Sequence, residues 1–157
     1  MKIKYFIVLA VLLSFFASKI QADTRPKLSM GQTVYVPAYS HIYIGNRETP
    51  YLLAITLSIR NVSLSSPISI TEVNYHDTQG KLLKTFIKDP VELGPLASIR
   101  YIIHQGDKDG GSGANFIVQW EAKGKINPPV IETVMIGTQS QQGISFTSRG
   151  EPILEKE

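Results

Sequence analysis

Short runs in which apolar and polar residues alternate follow one another along the chain from Val34 onward. In the clearest run, Leu53 to Arg60, the side chains of Ile55, Leu57 and Ile59 fall on one face. Alternation with a period of two indicates a strand with one buried and one solvated face. Since no window shows a sustained helical period, the pattern predicts an all-β domain.

A hairpin is predicted after this strand. Residues 68–76 form one run, but its apolar positions change phase, which predicts a bulge near Thr71 or Glu72. The tetrapeptide Asp77 to Gly80 supplies turn chemistry, and residues 82–87 return as the partner strand.

Further runs at similar spacing extend the β pattern towards the C-terminus. They comprise residues 98–104, 115–121, 130–136 and 143–147. The glycine-rich stretch Gly106 to Gly113 is predicted to be a surface loop within a hairpin. About eight strands at a spacing of roughly 8–12 residues predict an immunoglobulin-like antiparallel β-sandwich.

The N-terminal segment has the pattern of an export signal. A basic start and a short apolar stretch end at Ala22, so residues 1–22 are predicted to be a signal peptide. An uncleaved N-terminal anchor is the alternative. We expect a flexible leader at 23–32, the β-sandwich domain at 33–150 and a charged tail at 151–157. The mature chain is predicted to be periplasmic or secreted, with no integral membrane segment.

Charge and cysteine content exclude several classes of function. Three of the 16 basic residues lie in the signal, leaving 13 against 13 acidic residues. A formally neutral domain lacks the concentrated positive charge that nucleic-acid binding needs. There are no cysteines, which excludes disulfides, thiolate metal sites and cysteine nucleophiles.

Three segments resemble a known family. They are Gly110 to Trp120, Asn127 to Glu132 and Gly143 to Gly150. Together they are similar to small exported bacterial proteins catalogued only as a domain of unknown function, a likeness that covers most of Val34 to Gly150. The resemblance implies an exported single domain, and it supplies no reaction, cofactor or catalytic residue.

An aromatic ladder is the first candidate binding surface. If residues 34–44 form one strand, four ring-bearing side chains share a face, although Pro37 interrupts the segment. These side chains are Tyr35, Tyr39, His41 and Tyr43. Such a ladder could stack a sugar ring or grip a peptide, whereas half-buried structural tyrosines are the plainer interpretation.

The glycine-rich loop is the second candidate. Asp107 and Asp109 lie in it, and Asn115 follows, so the loop is a plausible partner contact. It fails as a calcium loop because Val118 stands where a bidentate glutamate is required.

Histidines offer an alternative function, a periplasmic copper or zinc site. His41, His76 and His104 each lie in or at the end of a predicted strand, and Asp77 or Asp89 could add an oxygen ligand. The histidines are 35 and 28 residues apart, without the close spacing that aligns two ligands locally.

The polar stretch Gly137 to Ser148 raises a further possibility. If its strand lies at a sheet edge, that edge could accept another chain by strand addition. A half-buried strand with a polar outer face is the plainer interpretation.

No motif for nucleophilic catalysis is present, and the glutamates are most simply solvent-facing. We therefore predict a non-enzymatic binding or interaction module without a cofactor. Its expected partner is a protein or glycan of the cell envelope.

Overall fold

The structure, a computed structural model, describes residues 27–46, 48–139 and 142–156. The predicted signal peptide lies outside the described residues. The described part contains twelve strands and no helix, and so no helix that could cross a membrane. The strands are β1 (Ser29–Pro37), β2 (His41–Tyr43), β3 (Pro50–Leu52), β4 (Ala54–Arg60), β5 (Ile68–His76), β6 (Leu82–Thr85), β7 (Val91–Leu93), β8 (Ser98–Ile103), β9 (Asn115–Ile126), β10 (Val130–Gln139), β11 (Gln142–Arg149) and β12 (Glu151–Glu155).

The strands form two larger antiparallel sheets and one small one. The six-stranded sheet has the order β12-β1-β9-β5-β6, with β7 also paired to β5. The four-stranded sheet has the order β11-β10-β4-β8, and β2 pairs with β3 alone. The all-β, antiparallel prediction is confirmed. The described residues hold twelve strands rather than about eight, because β2, β3 and β7 are three residues each and too short to show a period.

One hydrophobic core lies between the two larger sheets. Ile55, Leu57 and Ile59 of β4 are fully buried, as their alternation predicts. Phe116 and Trp120 of β9 enter the same core from the six-stranded sheet. Burying one large apolar side chain contributes on the order of 1.5–3 kcal/mol, so this layer holds the two sheets together.

The predicted bulge and hairpin are both confirmed. The pairing of β5 with β9 shifts register between Ile70 and Glu72. Strands β5 and β6 are antiparallel partners, and Gly80 between them has a φ of 81°. That conformation favours glycine, which explains why the turn ends with this residue.

The folded part is wider than the predicted range 33–150. Strand β1 begins at Ser29, and both Ser29 and Gln32 are buried. Residues 151–155, predicted to be part of a tail, form β12 and pair with β1. Strand β12 is exposed at the edge of the six-stranded sheet, whereas the buried Ser29 and Gln32 side chains are hydrogen-bonded to Gly31 O and to the Glu155 carboxylate.

The predicted aromatic ladder is wrong, because residues 34–44 are not one strand. Strand β1 ends at Pro37, which has no N–H to continue a ladder. The next amides bond to the glycine-rich loop instead: Ala38 N donates to Ala114 O at 2.8 Å, and Ser40 N donates to Gly111 O at 3.0 Å. Strand β2 then belongs to a different sheet from β1.

The loop that contains Gly106 to Gly113 does not connect two strands of a hairpin. It links β8 of the four-stranded sheet to β9 of the six-stranded sheet. The loop therefore crosses one end of the core, a connection that sequence alternation does not reveal.

Candidate functional site

The predicted ligand residues separate into three places. Tyr39 packs into the fold, its ring 5.7 Å from that of Phe146 in edge-on geometry. His41 and Tyr43 stay together on β2, with ring centroids 5.3 Å apart. Tyr35 lies on the outer side of β1, which belongs to a different sheet from β2 and β3.

Hydrogen bonds from two other segments hold the C-terminal half of the glycine-rich loop in place. Thr78 N and Thr78 Oγ1 both donate to Gly110 O at 3.0 Å. Gly113 N donates back to Thr78 Oγ1 at 3.1 Å, and Ser40 Oγ donates to Gly111 O at 3.1 Å. These bonds attach the loop to the β5–β6 turn on one side and to Ser40, directly before β2, on the other.

Tyr75 lies beneath this loop and is fully buried. Its hydroxyl has no hydrogen-bond partner among the described residues. Burial, then the nearby carboxylates of Asp107 and Asp109, raises the pKa of the Tyr75 hydroxyl well above its usual value. Asp107 Oδ1 accepts from Asp109 N at 3.1 Å, so one carboxylate is used to shape the loop itself.

The outward side of the six-stranded sheet collects polar side chains from three adjacent strands. Register places Tyr35 opposite Ile117 and Ile117 opposite Asn74, while Asn115 lies opposite His76. We call this surface the outer polar face. It consists of Thr33, Tyr35, Glu72, Asn74, His76, Asn115, Ile117 and Gln119.

Glu72 connects two other side chains of the outer polar face by hydrogen bonds. Its carboxylate accepts one hydrogen bond from Asn74 Nδ2 and another from Gln119 Nε2. Hydrogen bonds to an ionised carboxylate are among the stronger ones in proteins, so the three side chains are held in a defined arrangement. A rigid array of acceptors and donors is the kind of surface that orients a polar ligand.

Two buried polar atoms on this face lack a hydrogen-bond partner in the described residues. They are Asn74 Oδ1 and His76 Nδ1, on consecutive outward positions of β5. Buried side-chain polar atoms are usually hydrogen-bonded, because a buried polar atom without a hydrogen bond costs about 1–3 kcal/mol of stability. Both atoms are covered in the described arrangement, so hydroxyl or amide groups of a ligand reach them only when the two side chains turn outward.

A pocket of about 290 Å³ adjoins the outer polar face. Thr33 and Gln119 line it together with Thr71 at the β5 bulge. At its far side the Lys156 ammonium pairs with the Glu121 carboxylate. Thr71 is the extra residue of the bulge between Ile70 and Glu72, so the bulge contributes one wall of this pocket.

A larger cleft of about 600 Å³ lies elsewhere, at the seam where the chain crosses from β11 to β12. Pro128, Pro129 and Gly150 line it, together with the charged side chains Arg149 and Glu151. Two of the three segments that carry the family resemblance meet at this cleft.

The three histidines are not brought to a common centre with other ligands. His41 is on β2, His76 on β5 and His104 directly after β8. Across 27–46, 48–139 and 142–156, no three histidine, aspartate or glutamate side chains are grouped so that they could hold a metal ion. The histidine-based copper or zinc site stays a prediction without a converging set of ligands.

Glu72, Asn74 and Gln119 were not singled out from the sequence. In the sequence these residues are visible only as the polar positions of two alternating strands. Glu72, Asn74 and His76 alternate with buried residues in β5, and Asn115 and Gln119 do so in β9. A polar phase is ordinary for a half-solvated strand. Only the pairing of β5 with β9 shows that these side chains are neighbours.

Comparisons with known proteins give one family match and one similar solved structure. The family described as "Protein of unknown function (DUF3124)" matches residues 31–153. A structure titled "Crystal Structure of Thermotoga maritima 1070" is similar at 15% identity, covering 76% of this chain and 92% of that chain, with a TM-score of 0.43. No curated protein matches the chain. The family match extends over most of the chain, and this protein therefore belongs to the DUF3124 family of unknown function, as the Gly110–Trp120 and Gly143–Gly150 segments indicated.

Proposed function

We propose that this protein is an exported, non-enzymatic binding module built on an immunoglobulin-like β-sandwich. Its ligand is a hydroxyl-rich glycan of the cell envelope, and the outer polar face is the binding surface. The observation that carries the proposal is the pair of buried atoms without protein partners, Asn74 Oδ1 and His76 Nδ1.

The chemistry of these two atoms matches sugar hydroxyls. An amide oxygen accepts hydrogen bonds, and a neutral imidazole nitrogen either accepts or donates according to its tautomer. A hydroxyl group both donates and accepts, so neighbouring hydroxyls of one sugar can satisfy both atoms. Compensating two buried groups in this way gives binding a favourable contribution that a flat polar surface would lack.

Tyr35 supplies the apolar component. About a third of it is exposed, and it lies in the same cross-strand row as Asn74. A tyrosine ring beside fixed polar groups can cover the apolar face of a sugar while the polar groups bond to its edge. This surface keeps one tyrosine of the predicted ladder and replaces the other three with side chains from β5 and β9.

The hydrogen bonding of the Glu72 carboxylate favours a binding role over a catalytic one. Both of its carboxylate oxygens already accept hydrogen bonds from side-chain amides. A carboxylate used in this way positions neighbouring groups, whereas a general base needs an oxygen directed at the substrate proton. The proposal is accordingly for recognition without chemical change.

Two exposed tyrosines provide a matched pair of variants. Tyr35→Ala removes the ring from the outer polar face, whereas Tyr43→Ala removes a ring from β2 that is more exposed, 51% against 36%. Asn74→Ala tests the polar component. Affinities for soluble peptidoglycan fragments and lipopolysaccharide core oligosaccharides would be measured by titration calorimetry after a screen on an envelope glycan array.

We expect Tyr35→Ala and Asn74→Ala each to weaken binding about three- to tenfold, the effect of losing one ring contact or one hydrogen bond. Tyr43→Ala should leave the affinity within twofold, which is small on the scale of one hydrogen bond. Failure of every envelope glycan to bind would refute the proposal. Equal losses in Tyr35→Ala and Tyr43→Ala would also refute it, because they would place the ligand elsewhere.

Export has its own test. Fractionation of cells that express the full chain should place the protein outside the cytoplasm, with an N-terminal sequence that begins at Asp23. A cytoplasmic location would contradict the proposed export, and an intact N-terminus in the membrane fraction would support the anchored alternative.

A further inference from the structure

Strand β11 lies at an edge of the four-stranded sheet. It pairs with β10 over eight consecutive residues, from Gln142 opposite Gln139 to Arg149 opposite Glu132, without a register shift. Within the part of the chain that the structure describes, its residues 143–149 make no backbone hydrogen bond outside the sheet ladder. One side of this strand therefore presents its peptide groups outward, which is the arrangement that accepts another strand.

Both edges of the six-stranded sheet carry features that oppose pairing, and β8, the other edge of the four-stranded sheet, carries the charged Arg100 near its middle. Strand β12 contains Pro152 between two glutamates, and its pairing with β1 is shifted between Thr33 and Val34. Strand β6 is four residues long and has a shifted register with β5. Short length, proline, charge and irregular register are the usual protections of an edge strand. The sequence of β11, QGISFTSR, has no proline, lysine or acidic residue.

We propose that β11 is an interaction edge and that its partner is β11 of a second copy of this chain. The two strands would run antiparallel about a two-fold axis, joining two four-stranded sheets into one continuous sheet. Such an isologous contact uses the same surface on both subunits and therefore closes at a dimer. This surface belongs to the sheet opposite the outer polar face, so the inference stands independently of the proposed glycan binding.

The sequence of β11 complements itself in one register. With Ser145 opposite Ser145 of the second copy, Ile144 of each copy lies opposite Phe146 of the other. The two-fold axis therefore creates two such inward pairs. Both side chains are half-buried in the single subunit and pack against the core. Aromatic and branched side chains in opposite positions stabilise antiparallel strands. The outward positions pair Gly143 with Thr147, so small and polar residues remain on the solvated face.

Charge also favours this partner. Arg149 is the one charged residue of β11. In the proposed register the two Arg149 positions are separated by eight residues along the strand, or about 27 Å at roughly 3.4 Å per residue. That separation exceeds the Debye length of about 8 Å at physiological salt, so the two charges do not oppose association. A foreign peptide would find no charge in the middle of β11 to select it.

Charge substitutions at the two-fold axis test the proposal. Ser145 is exposed, and Ser145→Lys would place two ammonium groups directly opposite each other across the axis. Ser145→Glu would do the same with two carboxylates. Ser98→Lys is the matched control, because Ser98 is an exposed serine on β8, the other edge of the same sheet. Sedimentation velocity would follow association between about 1 µM and about 1 mM, the range of weak specific affinities.

The wild-type protein should form a dimer, and Ser145→Lys and Ser145→Glu should each weaken it by about fivefold or more. An equimolar mixture of the two variants should regain a dimer at least as tight as the wild type, whereas Ser98→Lys should behave as the wild type. A wild-type protein that remains monomeric throughout would overturn the proposal. So would an unchanged dimer in Ser145→Lys, or an equal weakening in Ser98→Lys.

Discussion

Replacing Gly110 by alanine tests how the glycine-rich loop is seated on the core. An added Cβ at this position would overlap the Tyr75 hydroxyl oxygen and would stand 2.7 Å from Tyr75 Cζ and 2.9 Å from Ala114 Cβ. Tyr75 is fully buried and has little space into which to move. Overpacking of a closed site costs about 1–3 kcal/mol, so we expect Gly110→Ala to lower the free energy of unfolding by that amount.

Two companion variants separate the steric cause from other effects. Tyr75→Phe removes the overlapping oxygen, and because that hydroxyl has no partner among the described residues, the change alone should cost less than about 0.5 kcal/mol. The double variant should recover part of the loss, since the Cζ and Ala114 contacts remain. Gly106→Ala is the control, because nothing lies within 4 Å of its added Cβ.

The assay is urea denaturation followed by tryptophan fluorescence. Trp120 is the one tryptophan of the chain, and it is buried, so its emission reports loss of the core. For a domain of this size, a loss of 1–3 kcal/mol corresponds to a fall in melting temperature of about 3–12 °C. Equal stability of Gly110→Ala and Gly106→Ala would refute the reasoning, as would a double variant no more stable than Gly110→Ala.

Three other outcomes follow from the buried and charged groups. Asn61 is buried, and its Nδ2 donates to three backbone carbonyls, so Asn61→Ala should lower the free energy of unfolding by about 2–4 kcal/mol in urea denaturation. Asn127 is exposed, and Asn127→Ala should leave the free energy of unfolding almost unchanged. Similar losses in the two variants would contradict the structural role of Asn61. The Tyr101 hydroxyl has no partner in the described chain, so Tyr101→Phe should change stability by less than about 0.5 kcal/mol, and a loss above about 1 kcal/mol would count against it. A hydrogen bond from Gln32 holds the pKa of Glu155 below its usual value. Because the pKa of Glu155 is lower in the folded than in the unfolded protein, ionised Glu155 stabilises the fold at pH values above its unfolded-state pKa. This stabilisation is lost as the pH falls through the folded-state pKa. Melting curves should therefore show the advantage of the wild type over Glu155→Gln shrinking from about pH 6 to about pH 3, and a constant difference would contradict it.

The elements that could be predicted from the sequence are those in which one strand carries its own signal. The alternation of Ile55, Leu57 and Ile59 is visible within seven residues, and the phase change at Glu72 marks the bulge within one strand. Local chemistry also identifies the turn at Gly80. In each case the information lies within a few neighbouring positions, so alternation and turn chemistry suffice to predict these features.

The features that were missed depend on which strands are neighbours. Tyr35 and Asn74 share a row only because β9 lies between β1 and β5. The order of strands follows from packing between distant segments, and alternation within a strand carries no information about it. For the same reason the loop after β8 was predicted to close a hairpin, although it connects the two sheets.

The predictions for the two terminal segments of the domain were wrong for a different reason. Residues 29–32 and 151–155 are polar and contain few apolar positions, so their composition suggests loose chain. Their order comes from pairing with strands that are distant in the sequence: residues 29–32 pair with β9, and β12 pairs with residues 32–35 of β1. At the end of β12, Gln32 lies opposite Glu155, and the Gln32 amide donates to that carboxylate at 3.0 Å. Pairing with a distant strand is not visible in the composition of the segment itself.

Mapping the bound ligand by backbone amide chemical shifts tests the central claim most directly. The measurement would use ¹⁵N-labelled mature protein and the envelope glycan that binds most tightly in the array screen. We predict that the largest shifts fall on Tyr35, Asn74, His76 and Asn115, with the β2 and β11 amides unchanged. Shifts concentrated on His41 and Tyr43, or around the cleft at Gly150, would contradict the account, because they would place the ligand away from the outer polar face.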